Sequence, residues 1–207
     1  MQLLLVRHGQ TEWNAARRFQ GQENSPLTDL GRRQARLAGQ ALAPYRIAHS
    51  FCSDTGRVAE TVAAMREANP SLPEPRRDTR LRELHYGAWE GMLQTEIEAA
   101  YPDLYRTYVT SPATFRAPGG ESFGDLQERF VGFFRETVPI DDGNVLVVTH
   151  GGVVRVAVLF LLGRELGELR SVPSIREASI TVLERTGDGW RLVEGSGVRH
   201  LDPLRAP

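Results

Sequence analysis

The stretch Leu3-Leu4-Leu5-Val6-Arg7-His8-Gly9 decides the fold. Its four consecutive apolar residues are too few for a helix and are typical of a strand buried on both faces. The run stops abruptly at Arg7 and His8, and the glycine that follows lets the backbone turn. Thr11 then predicts a helix cap, with Glu12-Trp13-Asn14 beginning the helix. A cation and an imidazole are therefore expected at the carboxyl end of a strand, where open α/β sheets bind ligands.

A second junction of the same kind lies far downstream. Val145-Leu146-Val147-Val148-Thr149 is another buried-strand run, and it is followed by His150-Gly151-Gly152 and an apolar helical stretch from Val153 to Leu162. The chain has five histidines. A lone histidine at a strand end is more often a core or loop residue, but two matching junctions favour one shared site.

Composition narrows the class of protein. At 207 residues, the chain is expected to form one domain, 1–207. Its net charge of −1 gives no electrostatic indication of nucleic-acid binding. We also expect no membrane span, because there is no long apolar run. The single cysteine and the lack of a charged leader predict a cytoplasmic protein. All 25 basic residues are arginine, which excludes a Walker lysine and Schiff-base chemistry.

Other elements follow from caps, breakers and periodicity. Thr28 predicts the cap of a helix over about Asp29 to Leu42. The predicted inner face of that helix carries Leu30, Leu37, Ala38, Ala41 and Leu42. The remaining predictions are a strand over Ile47–Cys52, a helix from Phe123 to about Thr137, and a C-terminal hairpin of Glu177–Glu184 and Trp190–Glu194 across Gly187-Asp188-Gly189.

A third junction supplies more positive charge. Ser53 or Asp54 predicts the cap of a helix reaching about Glu67, which places Arg57 in the first turn. A helix N-terminus attracts anions, and a guanidinium adds a fork of donors suited to phosphate. A surface arginine on a solvated helix is the alternative. Cys52 is one residue too close to Arg57 for a cysteine-phosphatase loop, so we interpret it as a core residue.

The middle of the chain offers a proton donor and a lid. Glu83 lies in the apolar setting of Leu81 and Leu84, which favours its neutral form; the alternative is an exposed glutamate paired with arginine. His85 is either catalytic or structural. The segment of about 92–118 is predicted to be a lid-like helical insertion. Residues that could line an outer pocket are Tyr101, Tyr105, Tyr108, Phe115, Arg106 and Arg116.

Together these junctions predict a phosphate site. Arg7 and Arg57 would hold the oxygens of a phosphoryl group, which needs chiefly electrostatic stabilisation. The arginine charges disfavour protonation of His8, so its ring stays available as a nucleophile. Glu83 would protonate the leaving alkoxide and later deprotonate water. No metal-ligand motif is evident, and we expect neither a metal nor another cofactor.

Five blocks in order resemble the histidine phosphatase, or phosphoglycerate mutase-like, superfamily. The blocks are Arg7-His8-Gly9-Gln10-Thr11, Ser53-x-x-x-Arg57 with Thr61, Leu81-x-Glu83 with Gly87-x-Trp89-Glu90-Gly91, Pro118-Gly119-Gly120-Glu121-Ser122, and Thr149-His150-Gly151-Gly152. The resemblance runs from residue 3 to about 194. It implies an α/β fold with a mostly parallel mixed sheet and helices on both faces.

The resemblance also implies roles for individual residues. His8 would be phosphorylated, Glu83 would donate the proton, and Arg7, Arg57 and His150 would bind the phosphate. The residues implied to assist in substrate binding are Asn14, Gln20, Gly21 and Gly151. Two departures from the family pattern are Gln10 in place of glutamate and Gly56 in place of a bulkier residue, and Gly56 could loosen the Arg57 turn.

Within the family, the chain resembles the short bacterial phosphatases of the broad-specificity or α-ribazole-phosphatase type. We therefore expect a phosphomonoesterase acting on a small-molecule phosphomonoester. A mutase is the alternative, and an inactive phosphate-binding module is a third hypothesis. The leaving group stays open between sugar, nucleotide, glycerate and aryl. The edge strand of the C-terminal hairpin offers a pairing surface for a homodimer, and monomer and dimer both stay open.

Overall fold

A computed structural model of the protein describes residues 1–139, 143–187 and 189–204. Within these ranges, six strands form one sheet: β1 (Gln2–Arg7), β2 (Ile47–Cys52), β3 (Arg76–Arg77), β4 (Asn144–Thr149), β5 (Ile180–Thr186) and β6 (Gly189–Gly197). Their order across the sheet is β3-β2-β4-β1-β5-β6. The first four strands in this order pair in parallel. Strand β5 pairs antiparallel with β1, and β6 pairs antiparallel with β5. The predicted mostly parallel mixed sheet is confirmed.

Helices cover both faces of this sheet. They are α1 (Glu12–Ala15), α2 (Asp29–Ala41), α3 (Gly56–Ala68), α4 (Gln94–Ala100), α5 (Pro102–Thr110), α6 (Phe123–Thr137) and α7 (Gly151–Leu161). Short 3-10 segments lie at Thr79–Leu81, Gly87–Trp89, Pro112–Thr114, Leu166–Ser171 and Arg199–Leu204. Within the described part of the chain, no helix is long and apolar enough to cross a bilayer.

The opening apolar run is buried on both faces, as predicted. Leu3 and Leu5 point into the core that contains α6 and α7, whereas Leu4 and Val6 point into the core that contains α2 and α3. All four are fully buried, and burying one such side chain contributes about 1.5–3 kcal/mol. This doubly covered strand places Arg7 and His8 where the sheet ends.

Helix α2 confirms its predicted cap and, of its predicted inner face, Ala38 and Leu42, which are fully buried. Thr28 accepts a hydrogen bond from the Gly31 amide. The buried positions of α2 are Gly31, Ala35, Ala38 and Gly39, whereas Leu30 and Leu37 are only partly buried. Added Cβ atoms at Gly31 and Gly39 would lie 2.0 and 2.3 Å from neighbouring carbonyl oxygens. The glycines on this face are therefore required for their small size, because the backbone of α2 lies in direct contact with neighbouring backbone segments.

The cap predicted for α3 was wrong. Thr55 is the N-cap residue, and its side chain makes no capping bond. Ser53 and Asp54 are diverted instead, because Ser53 contacts a histidine ring and Asp54 pairs with Arg82. The short strand β3 was not predicted. The hairpin is confirmed with shifted bounds, and Asp188 of its predicted turn lies outside the described residues.

The 92–118 segment contains α4, α5 and the 3-10 turn Pro112–Thr114, so its predicted helical character is confirmed. Its aromatic residues pack on Trp89, which is fully buried. Movement as a lid stays a prediction. So does the homodimer, for which the outer strand β6 offers Leu192 and Val193, 39% and 48% exposed.

Candidate active site

The three predicted junctions meet at one edge of the sheet. Strands β2, β4 and β1 are neighbours and run parallel, so their carboxyl ends bring Ser53, His150 and His8 together. The imidazole rings of His8 and His150 have centroids 5.3 Å apart, at an interplanar angle of 64°. Both rings are buried. Two histidines separated by more than half of the chain thus share one site.

The hydrogen bond of His8 defines its tautomer. Its Nδ1 lies 2.7 Å from the carbonyl oxygen of Gly9. A carbonyl only accepts, so Nδ1 carries the proton and Nε2 of the neutral ring keeps its lone pair. Burial, and then the charges of Arg57 and Arg7, hold the pKa of His8 well below its usual value. Nε2 is therefore unprotonated at neutral pH and has the lone pair that a nucleophile needs.

Close backbone packing fixes the turn that carries His8. A Cβ on Gly9 would lie 2.4 Å from the carbonyl oxygen of Gly31, so α2 presses directly against this turn. The Gly9 amide donates to the Thr61 hydroxyl, which itself donates to the Arg57 carbonyl. The amide of His8 donates to Thr149 at the end of β4. The helices α2 and α3 on one face of the sheet and the neighbouring strand β4 thereby hold the His8 turn in place.

His150 has protein partners at both ring nitrogens. Its Nδ1 lies 3.2 Å from Nη2 of Arg57, and its Nε2 lies 3.0 Å from the Ser53 hydroxyl. Because a guanidinium only donates, Nδ1 accepts and Nε2 carries the proton of the neutral ring. Burial, followed by the charges of Arg57 and its neighbours, holds the pKa of His150 well below its usual value. His150 consequently orients the Arg57 guanidinium.

Arg57 is turned inward from the first turn of α3 and is buried. Its Nη1 donates to the Glu23 carbonyl and its Nη2 to the Gly21 carbonyl, at 2.5 and 2.6 Å. Burial lowers the pKa of Arg57 to about 10, so it stays charged at neutral pH. The expected loosening by Gly56 is not observed. A Cβ there would lie 2.6 Å from Nδ2 of Asn24, whose Oδ1 accepts from the Arg57 amide.

Arg7 and Arg57 each keep one buried donor without a partner. Nη1 of Arg7 donates to the Ile175 carbonyl, and its Nη2 pairs with Glu177. Among the described residues, the buried Nε of Arg7 and the buried Nε of Arg57 have no acceptor. An unsatisfied buried donor costs about 1–3 kcal/mol or more. Both arginines line the same pocket as His8, so this pocket carries two guanidinium groups, which suits an anion such as phosphate.

Glu83 is held by backbone donors rather than by an apolar shell. Its Oε1 accepts from the Leu84 amide at 2.8 Å and its Oε2 from the Gly152 amide, at the start of α7, at 3.1 Å. Nearby arginines are engaged elsewhere, since Arg82 pairs with Asp54 and Arg129 with Glu121. The alternative of an exposed Glu83 paired with arginine is therefore not observed, and Glu83 lines the pocket.

A pocket of about 330 Å³ joins these groups. The residues that the sequence predicted for the site and that do line this pocket are Arg7, His8, Asn14, Gln20, Gly21, Arg57 and Glu83. Asn14 Oδ1 accepts from Thr11, which leaves the amide donor of Asn14 for the pocket. The buried Oε1 of Gln20 has no partner among the described residues. Gly151 lines an adjoining recess instead.

Of the residues expected at the outer pocket, Tyr108 is the one that lines it. Tyr101, Tyr105 and Phe115 pack on Trp89, because their helical spacing serves the aromatic core. Arg106 pairs with Asp103 on the surface and Arg116 with Asp125. His85 is absent from the lining, and its Nε2 lies 3.9 Å from Glu90, which favours the structural role.

Sequence reasoning missed several contributors. Ser53 and Thr55 contact the His150 ring, and their signal was only a polar pair after a buried strand. Tyr86 and Arg155 line space next to Glu83, and no local pattern marked them. Among the described residues, no group of three or more His, Cys, Asp or Glu side chains is placed to hold a metal ion.

A model of the histidine phosphatase superfamily (branch 1) matches residues 3–196. The chain therefore belongs to the histidine phosphatase superfamily, as its five sequence blocks predicted. Members of this family transfer phosphoryl groups through a phosphorylated histidine, and the described site has the groups that this chemistry needs.

Individual relatives include both phosphatases and mutases. A probable phosphoglycerate mutase GpmB of Serratia proteamaculans is 35% identical over 208 residues, covering 98% of this chain and 95% of that protein. The solved structure of Bacillus stearothermophilus YhfR has a TM-score of 0.88 at 33% identity, covering 97% of this chain and 98% of that one. The solved structure of a mycobacterial glucosyl-3-phosphoglycerate phosphatase in complex with VO3 has a TM-score of 0.85 at 32% identity, covering 95% of this chain and 99% of that one.

Proposed function

We propose that this protein is a phosphomonoester hydrolase that works through a phosphohistidine on His8. One observation carries the proposal: a buried, neutral His8 whose Nδ1 is bonded to Gly9 leaves its Nε2 available in a pocket that the side chains of Arg7 and Arg57 also line. An imidazole in this state is a nucleophile, and the arginines stabilise the charge of a transferring phosphoryl group.

The proposed reaction has two steps. In the first, Nε2 of His8 forms a bond to phosphorus while the bond from phosphorus to the leaving oxygen breaks, and the Glu83 carboxyl gives that oxygen its proton. In the second, the Glu83 carboxylate takes a proton from water as the water oxygen attacks phosphorus. The N–P bond breaks, releasing inorganic phosphate and restoring neutral His8.

A mutase-type phosphoryl transfer is the second candidate. It is favoured by the 35% identity to a probable phosphoglycerate mutase of nearly the same length. Both reactions begin with phosphorylated His8 and differ in whether water or a second hydroxyl takes the phosphoryl group. An inactive binding module is disfavoured because His8 and Glu83, the residues proposed as nucleophile and acid, are both present and line one pocket.

The deciding experiment follows the fate of the phosphoryl group. We expect ³¹P NMR to show inorganic phosphate accumulating from a panel of phosphomonoesters, and acid quenching with labelled substrate to trap an acid-labile adduct on His8. An isomerised phosphoester as the main product would support the mutase. Binding of substrate without turnover or adduct would support the inactive module.

We further propose that the reaction needs no metal and takes place in the cytoplasm. The arginines supply the cationic groups that a metal supplies in other phosphoryl-transfer sites. Turnover is expected to be unchanged after treatment with a chelator, and loss of activity restored by a divalent cation would contradict this. Location is tested by fractionation of the source cells.

A further inference from the structure

The sequence block Gly87-x-Trp89-Glu90-Gly91 contains a carboxyl group to which the proposed reaction gives no role. The side chain of Glu90 is only 8% exposed. Glu90 is absent from the residues that line the pocket of His8 and the two arginines, which we name the phosphate pocket. A carboxyl group is costly to bury unless hydrogen bonds or a paired charge compensate for the loss of water. The hydrogen bonds of Glu90 therefore indicate what it does.

One oxygen of Glu90 joins two segments of the pocket wall. Its Oε1 accepts hydrogen bonds from the amide of Gln22 and from the amide of Tyr86, both at 2.9 Å. Gln22 belongs to the segment 20–24, which we name the clamp loop. Tyr86 lines the phosphate pocket, as does Gly21 of the clamp loop. Glu90 thus ties two parts of the wall together although it does not line the pocket itself.

The clamp loop supplies acceptors that orient Arg57. The carbonyl oxygen of Gly21 accepts from Nη2 of Arg57, and the carbonyl oxygen of Glu23 accepts from Nη1. The side chain of Asn24 accepts from the backbone amide of Arg57. The position of the guanidinium in the phosphate pocket therefore depends on the conformation of the clamp loop.

Gly21 is the residue at which Glu90 and Arg57 meet. Its φ of +52° lies in the left-handed region, and a Cβ on Gly21 would overlap Oε1 of Glu90. Glycine is thus needed both for the backbone conformation and for the close approach of the carboxyl group. The carbonyl of the same residue holds the Arg57 guanidinium. A displacement of the Glu90 oxygen would consequently reach Arg57 through a single residue.

The reach of the Glu90 side chain is expected to matter more than its charge. Burial lowers the pKa of Arg57 to about 10, and the charges of Glu83 and then Glu90 act in the opposite direction. Because this pKa lies well above 7, Arg57 stays protonated at neutral pH without a decisive contribution from Glu90. The hydrogen bonds of Oε1 remain as the route by which Glu90 acts on the site.

We propose that Glu90 is a positioning residue of the phosphate pocket: its Oε1 fixes the clamp loop, and the clamp loop orients the Arg57 guanidinium for the anion. The effect of Glu90 on catalysis rests on the proposed phosphatase function, whereas its effect on anion binding does not. A misplacement of about 1 Å can cost about 10²-fold in rate, so a small movement of the loop is measurable.

Glu90→Gln and Glu90→Asp separate reach from charge. Glutamine keeps an oxygen at the same reach and removes the charge, whereas aspartate keeps the charge on a side chain that is one methylene shorter. We expect Glu90→Gln to stay within about threefold of the parent in the Kd for inorganic phosphate and in kcat/KM for 4-nitrophenyl phosphate. We expect Glu90→Asp to raise that Kd about tenfold and to lower kcat/KM about 10²-fold. The reverse order of the two variants, equal losses in both, or no loss in either would overturn the proposal.

Asn69→Ala controls for a general loss of stability. Asn69 is a buried polar residue at the end of α3 remote from Arg57, and its Nδ2 donates to the Gly39 carbonyl. We expect this variant to have a lower melting temperature and the parent's Kd for inorganic phosphate. A loss of phosphate affinity equal to that of Glu90→Asp would show that destabilisation alone weakens the site, and it would reject the positioning role.

A double-mutant cycle tests whether Glu90 acts through Arg57. In an Arg57→Gln background, Glu90→Asp is expected to lower kcat/KM less than about threefold, against about 10²-fold in the parent background. Equal losses in the two backgrounds would show that Glu90 acts independently of Arg57 and would overturn the proposal. Failure of the proposed function gives a different result, because the parent would then not hydrolyse the ester. The Kd of the two Glu90 variants for inorganic phosphate would still decide the positioning role.

Discussion

The junctions after β1 and β4 are alike in sequence and differ in their hydrogen bonds. Both present histidine followed by glycine at a strand end, and both rings are buried and held neutral. His8 has a backbone carbonyl at Nδ1 and a free Nε2. His150 has Arg57 at one nitrogen and Ser53 at the other. The same motif therefore leaves a ring nitrogen available at one junction, where we propose the nucleophile, and orients a guanidinium at the other.

The largest expected effect separates the two histidines by chemistry. His8→Asn removes the attacking nitrogen and is expected to lower kcat/KM about 10⁴-fold or more, because no alternative nucleophile lies at this position. The measurement is steady-state hydrolysis with acid-quench trapping of the adduct. His49→Asn, near the start of β2, is the matched control. Residual turnover of the His8 variant above one per cent would contradict the assignment.

Glu83→Gln is expected to have the next largest effect, about 10³-fold in kcat for an alkyl phosphate, because the leaving alkoxide then lacks a proton. The loss should be smaller for 4-nitrophenyl phosphate, whose leaving group departs unprotonated. Glu128→Gln, exposed on α6, is the control.

Gly152→Ala, in the junction after β4, tests whether the position of the Glu83 carboxyl matters for activity. Its new Cβ would lie 2.3 Å from Oε1 of Glu83, so the carboxyl must move while the charge remains. We expect a loss of activity with little change in melting temperature, since alanine is compatible with a helix. Full activity would show that the position of Glu83 is not critical.

His150→Gln is expected to cost about 10²-fold in kcat/KM, because the guanidinium of Arg57 loses its ring acceptor and the anion site is less well organised. The loss should fall mainly on KM, and quenching should still trap the His8 adduct. Complete absence of the adduct would place His150 in the same role as His8 and would remove the distinction between the two junctions.

The smallest expected effect is on the pH dependence of stability, because both imidazole rings are buried in the neutral form. The unfolded chain protonates each histidine near pH 6.5, whereas the folded chain does so only at lower pH. The unfolded state therefore binds more protons below pH 6.5. As the pH is lowered, the free energy of unfolding consequently decreases, by up to about 1.4 kcal/mol per pH unit for each ring. Urea unfolding between pH 7 and 5 measures this, and His150→Gln should reduce the slope. An unchanged slope would contradict burial of a neutral ring.

The fold was largely predictable because its signals are local. The apolar run 3–6, the caps at Thr11 and Thr28 and the α6 bounds were confirmed from hydrophobic runs and short polar patterns. The α3 cap was predicted at the wrong residue and the buried glycines of α2 were not predicted, because each depends on a partner distant in sequence. Ser53 is engaged by His150, and the glycines of α2 accommodate neighbouring backbones.

The sequence by itself determined the chemical inventory: two histidines, two arginines and a glutamate placed at or near strand ends, and hence the family. The tertiary structure alone decided which imidazole nitrogen is available and which guanidinium donors are unmatched. Tautomer and hydrogen bonding depend on atoms supplied by distant segments, such as Ser53 to His150 and Gly152 to Glu83. A motif records the side chain, whereas the surrounding contacts set its role.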